Sequence, residues 1–479
     1  MQFNSMSFAI FLPIVFVLYW AIPYKFRWAL LLASSYYFYM SWNAKYIVLI
    51  LFTTVVSYLC AVLMERVEKQ KKQKILLVST LVTSLGVLFF FKYFNFFSNS
   101  ITDLLSSMAI KVHPVTLAVM LPVGISFYTF QTLSYVIDVY RGEVKAEKHF
   151  GYYAAFISFF PQLVAGPIER TRNLLPQIQQ EHKFNYEQAT YGMKLMAWGF
   201  FKKMVIADCF AVYVDQVYSD LTSYRGFAMV IAAVLFTFQI YGDFSGYSDI
   251  AIGTAKLFGI ELMNNFKSPY FAASIREFWG RWHISLSTWF RDYIYIPLGG
   301  NRVTPIRHKM NLMITFLVSG LWHGASWTYV FWGGIHGGLQ VIETSLFGKR
   351  KREIKHNFTW ALSVAVTFIL VCIAWIFFRA ERLEDAYYVI MHSLDGISNP
   401  VNYVTGALAS LEIGGTSLAK MIVCLGILFL YDFFSMKYDL IQLTTKLKVV
   451  PRWALYYGFV LLIFFFMEVG STEFIYFEF

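Results

Sequence analysis

Three histidines stand among tryptophans and glycines within one stretch of the chain. His283 lies in Phe278-Trp279-Gly280-Arg281-Trp282-His283, His323 in Leu321-Trp322-His323-Gly324, and His336 in Trp332-Gly333-Gly334-Ile335-His336-Gly337. Long apolar runs elsewhere avoid histidine. An imidazole withdrawn from water stays neutral near pH 7, because burial disfavours its charged form, and a general base must be neutral. His323 falls inside residues 310–341, a run long enough to cross a bilayer, and is the candidate base, with Trp322 beside it to shape the pocket. Gly324 would let a substrate approach the backbone. A core histidine bonded to a carbonyl is the plainer alternative. His336 follows thirteen residues later, roughly 20 Å along a straight helix. It shares a reacting atom with His323 only if the helix breaks between them. Ser326, Gly333 and Gly334 permit a bend, although close helix packing explains the same glycines. His336 is therefore a supporting or a structural residue.

Arg281, His283, Arg291 and Asp292 recur at helical spacing and would line a polar groove holding an anionic phosphate or thioester carrier. The same pattern fits an amphipathic helix at the membrane interface, with tryptophans as belt residues. Asp243 and Asp249 interrupt another apolar region. A carboxylate at the bilayer centre costs about 2.5–3.5 kcal/mol, so such residues usually face an interior cavity; Asp243 is a candidate donor-binding residue. A helix break with solvated carboxylates explains them equally well. No HxxxH or HExxH pair suggests a metal, and none is expected. No GxSxG, P-loop or GxGxxG is placed to carry chemistry, so a serine hydrolase, an NTPase and a dinucleotide enzyme lose support. Cys60, Cys209, Cys372 and Cys424 lie scattered in apolar runs as inert core residues.

The elements that must position these groups are membrane helices. With 58% hydrophobic and only 14% charged residues among 479, and a mean hydropathy of +0.53, the chain reads as a multi-span membrane protein. Without period-2 alternation the spans must be helical. Spans are expected over residues 6–22, 28–40, 45–64, 75–97, 115–137, 191–210, 227–241, 358–378, 418–434 and 453–469, besides 310–341. The first has no basic residue before it and no small-residue cleavage site after it, so it reads as retained rather than as a signal peptide. Basic loops at 65–74, 141–149, 349–355 and 437–452 mark the cytoplasmic side, which puts both termini outside. The net charge of +11 resides in such loops and argues against nucleic-acid binding. Residues 159–170, broken by Pro161 and Pro167, would dip into the membrane beside a cavity. Residues 380–418 read as an external segment of short helices, and 471–479 as an external tail. With no internal repeat or soluble stretch, residues 1–479 make one membrane domain.

Residues 279–300, 321–324, 241–249 and 159–170, together with Leu121-Pro122-Val123-Gly124-Ile125-Ser126-Phe127-Tyr128-Thr129-Phe130-Gln131, resemble the membrane-bound O-acyltransferase family. They are most similar to its bacterial alginate O-acetyltransferase branch. The run Tyr295-Ile296-Pro297-Leu298-Gly299-Gly300-Asn301-Arg302 favours polysaccharide acetylation over the related teichoic-acid D-alanylation branch. The resemblance implies an all-α ring of about 11 or more transmembrane helices with re-entrant segments around a central funnel, in the bacterial cytoplasmic membrane. The family histidine falls on His323. It also implies no resident cofactor, a cytoplasmic thioester donor (acetyl-CoA or an acyl carrier protein), and an extracytoplasmic partner acetyltransferase of the SGNH type acting on a polysaccharide. In some relatives a terminal tyrosine carries the acyl group; here that position is Tyr476, although the tail has Glu478 where glutamine is common. A phenol of pKa near 10 needs a base to become nucleophilic, and an aryl ester stays activated for onward transfer. Aromatic anchoring of the chain end is the alternative for the tail. Direct transfer to peptidoglycan or a lipid-linked glycan, a polysaccharide flippase, and an assembly scaffold remain the competing functions.

Overall fold

The computed structural model describes residues 1–348, 357–468 and 474–475, and among them every regular element is helical. Among the described residues, six helical stretches are long and apolar enough to cross a membrane: Tyr24–Arg66, Gln70–Ser107, Phe227–Leu257, Phe358–Arg379, Gly415–Ser435 and Val449–Phe466. Met6–Ala21 is apolar but shorter. Most expected runs are therefore helices with shifted ends. The expected external stretch contains the short helices Leu383–His392 and Pro400–Ser410.

The span expected over 115–137 is half wrong. Its helix runs only from Ile125 to Tyr140, and residues 110–122 are not helical. Pro114 and Pro122 exclude their neighbours from helical geometry and lack an N–H. Asn95 fixes the extended alternative, accepting from the Leu117 N–H at 2.8 Å and donating to the Leu117 carbonyl at 3.0 Å.

The chain forms two compact units, residues 1–193 with 250–263, and residues 194–249 with 264–479. In the first, the Pro-broken segment 158–171 is buried throughout. Its broken helices find partners in the protein, as when the Phe160 N–H, at the start of the short helix Phe160–Leu163, donates to Ser35 Oγ at 3.0 Å, which is the condition for tolerating interrupted backbone in an apolar surround. Glu169 ends this segment outside the six candidate spans. Its two carboxyl oxygens accept from the Met263 N–H and from Asn173 Nδ2, each at 2.5 Å.

Burial pushes the Glu169 carboxyl from 4.5 up to about 7. A value raised in the folded state means that folding favours the proton, so this contribution is full below pH 4.5 and is lost as the pH rises to about 7. The melting temperature of the wild type should accordingly decline across that window, and Glu169→Gln should remove this part of the slope. Identical slopes in the two proteins would show that another group is responsible.

The second unit is organised on the 31-residue helix Phe227–Leu257 and on a π-helical segment, Phe201–Ala207. The long helix passes unbroken through Asp243 and Asp249, which rules out the helix break with solvated carboxylates. Gly242 and Gly246 permit close packing: an added Cβ would stand 2.8 Å from the Lys202 carbonyl oxygen and 2.7 Å from that of Gly199. That approach delivers two consecutive lysines to the carboxylates. Lys202 Nζ lies 2.6 Å from Asp249 Oδ2, and Lys203 Nζ lies 2.7 Å from Asp243 Oδ1. Lys203 also reaches Asp208, five residues on, at 2.8 Å, the spacing of one π turn.

Candidate active site

The run 310–341 is not one crossing. It is a hairpin of two helices, Pro305–His323 and Trp327–Phe347. His323 closes the first, and Gly324 follows with an extended backbone. Ser326 starts the second by accepting from the Thr328 N–H at 3.3 Å, satisfying one of the donors that a helix start leaves unpaired. The helices run antiparallel, since Gly320 packs on Tyr329, Gly333 on Phe316 and Gly337 on Met313. A Cβ at Gly320 or Gly333 would collide with the facing carbonyl oxygen. At Gly324 it would overlap the Tyr329 ring. The space beside His323 is thus filled by that ring, and the expectation that Gly324 exposes backbone to a substrate is corrected.

The break brings the two hairpin histidines to one indole. The Trp332 ring centroid is 5.0 Å from that of His323 and 5.0 Å from that of His336. His323 is 5% exposed and also meets Phe378 edge-on at 5.5 Å. His336 is fully buried, with Trp279 at 5.1 Å and Phe278 stacked at 6.1 Å. Trp279 Nε1–H donates to His336 Nδ1 at 3.2 Å. An indole N–H only donates, so in a neutral ring the His336 proton sits on Nε2. That tautomer and the enclosing rings suit a positioning role.

His283 approaches from another element. The expected helical register across 281–292 fails, because helix Ile275–Arg281 stops and a second, Ile284–Phe290, starts after His283, whose φ of 44° is left-handed. This conformation is uncommon outside glycine and is held here by surrounding bonds. Asn265 supplies them. Its Oδ1 accepts from the Ser285 N–H at 3.2 Å and from Ser285 Oγ at 2.9 Å, its carbonyl accepts from the Ile284 N–H at 2.9 Å, and its Nδ2 donates to Ser248 Oγ at 3.2 Å. Because the Ser285 N–H must donate, the facing Asn265 atom is an oxygen, and His283 Nδ1, 3.1 Å away, donates to it as well. The acceptor nitrogen of a neutral His283 is then Nε2. Burial, and then the neighbouring His323, hold the His283 imidazole well below its ordinary value. The His283 and His323 ring centroids are 6.4 Å apart.

The remaining candidates scatter. Arg281 is committed to Glu277 and to the Ser268 carbonyl, at 2.5 and 3.3 Å. Arg291 is exposed and pairs with its neighbour Asp292 at 2.8 Å, in the π-helical segment Arg291–Tyr295. Asp243 is buried on its lysine. Trp322 is half-buried next to His323 in the helix. Tyr476 lies outside the described residues. Sequence reasoning missed Asn265, which has no motif of its own; only the unusual backbone it supports at His283 reveals it.

Two buried imidazoles with ring centroids 6.4 Å apart, with aromatic walls and a tautomer fixed on one of them, suit proton transfer to or from a hydroxyl. Residues 147–380 match the family model described as MBOAT, the membrane-bound O-acyltransferase family. Over 429 residues the chain is 39% identical to a probable alginate O-acetylase AlgI of Azotobacter vinelandii, covering 88% of this chain and 84% of the relative. The chain belongs to the membrane-bound O-acyltransferase family. A probable alginate O-acetylase AlgI of Pseudomonas aeruginosa is 38% identical over 88% of this chain and 81% of its own length. A peptidoglycan O-acetyltransferase of Helicobacter pylori is 36% identical over 77% and 74%. The chain is thus a multi-pass membrane acyltransferase, and the flippase and scaffold alternatives fall away.

Proposed function

We propose that this acyltransferase takes an acetyl group from a cytoplasmic thioester donor, acetyl-CoA or an acyl carrier protein, and passes it across a bacterial cytoplasmic membrane for O-acetylation of an extracytoplasmic polysaccharide. The observation that carries this reading is the pairing of buried His323 with His283 at the hairpin break. His323 takes the proton of the acceptor hydroxyl, and the oxygen attacks the thioester carbonyl. The carbon–sulfur bond breaks, and the thiolate leaves with the proton returned from His323, so charge and atoms balance. The first acceptor is the phenol of Tyr476, on a tail facing outward, and an SGNH-type partner acetyltransferase moves the group on to the glycan. His283 and Trp322 shape the reacting pocket, and His336 holds Trp279 and Trp332 in place. Arg291, held by Asp292, meets the donor's anionic part at the surface.

Intact and peptide mass spectrometry after incubation with labelled acetyl-CoA tests the relay. Label is expected on Tyr476 in the wild type and absent in Tyr476→Phe, with donor binding retained. A wild type that carries no label while still passing acetyl to added acceptor would sink the tyrosine step. Direct transfer to peptidoglycan or a lipid-linked glycan would then stand, a reading supported by the likeness to the Helicobacter pylori protein.

A further inference from the structure

Asp243 has more partners than a counter-ion needs. Lys203 is already within 2.8 Å of Asp208, so two buried carboxylates share this ammonium. Burying a shared carboxylate is costly unless further donors meet it. The further donor is the C-terminal segment: the Ile475 N–H donates to Asp243 Oδ2 at 2.7 Å. Phe474 and Ile475 are 3% and 6% exposed. The Phe474 ring lies 4.6 Å from Tyr247 and 6.2 Å from Phe244, both on the same long helix as Asp243. Phe244 in turn meets His283 edge-on at 4.5 Å. A continuous line of contacts therefore joins Phe474 to the histidine pair.

We infer that Asp243, with its charge set by Lys203, is a positioning residue that seats Phe474 and Ile475 against Phe244 and Tyr247, one ring contact from His283. The inference deepens the proposed transfer reaction and rests on it for its effect on turnover, but the seat itself is testable without any donor. Asp243 is thereby moved from donor binding to tail binding.

Ile475→Pro tests this directly, because proline lacks the N–H while Asp243, Lys203 and Asp208 stay untouched; Ile475→Val keeps the N–H. Carboxypeptidase release of the C-terminus, measured in detergent without donor, should be about tenfold or more faster for Ile475→Pro and unchanged for Ile475→Val, as expected on losing a charge-assisted bond. Turnover with labelled acetyl-CoA should fall at least tenfold in the proline variant at unchanged KM, with a cooperative melting transition lowered only by the lost bond, and be restored by valine. A tail equally protected in both variants would overturn the seat and leave Asp243 as a counter-ion. A tail released with turnover intact would overturn the positioning role. A wild type whose tail is protected but which transfers no acetyl would count against the proposed function and not against the seat.

Discussion

His323→Ala is expected to lower acetyl transfer from a thioester by about 10²- to 10⁴-fold, the usual worth of a positioned general base, with the fold intact. The size of the effect follows from where the ring sits. His323 ends one helix of a hairpin, at a break closed by the Tyr329 ring over Gly324. The main packing around it comes from Trp332 and Phe378, which lie on other helices and stay when the imidazole is removed. Truncation therefore loses a small amount of packing but all of the proton transfer. His323→Asn, which fills more of the space, separates the two effects: it should restore any lost melting temperature and none of the turnover. The His283 ring, 6.4 Å away, is the weaker base, since burial and then the neighbouring His323 hold its imidazole well below the ordinary value. Initial rates with labelled acetyl-CoA in reconstituted vesicles decide the matter. A variant within tenfold of the wild type would remove His323 from the chemistry.

How much of this was legible in the sequence depends on which force decides each feature. Hydropathy decides membrane character, and the apolar runs 6–22, 358–378 and 418–434 did become helices close to those limits. Proline geometry was present in the sequence at Pro114 and Pro122, but a hydropathy reading of 115–137 passes over it. Local composition could not decide whether 310–341 is one helix or two, because Gly320, Gly333 and Gly337 serve helix packing wherever the turn falls. The family motifs marked His323 and placed His283 in its neighbourhood. What they left dark is partnership at long sequence separation: Asn265 with His283, Trp279 with His336, and Lys203 with Asp243. Each is set by tertiary packing, and none has a spacing rule. The π-helical segment at 201–207 is invisible for the same reason, since it is the lysines' partners that repay the widened turn.

Those partners make the second large effect calculable. Lys203→Met should destabilise the protein by about 3–5 kcal/mol, the usual result of removing one member of a buried ion pair. The value belongs at the upper end, because the loss leaves two carboxylates, Asp208 and Asp243, both almost fully buried and facing the same vacated position. Methionine matches the lysine stem in length and apolarity, so the change tests the charge and not the packing. Lys202→Met leaves only one directly paired carboxylate, Asp249, whose side chain is 21% exposed, and it should cost less. The triple variant Lys203→Met with Asp208→Asn and Asp243→Asn should recover much of the loss, since replacing a whole buried ionic group by neutral side chains is often close to neutral. Melting temperatures in detergent for the three proteins provide the comparison. Equal losses in Lys202→Met and Lys203→Met would mean that burial of the second carboxylate pair is not what the lysine offsets, and the charge balance invoked for the tail's seat on Asp243 would lose its physical basis.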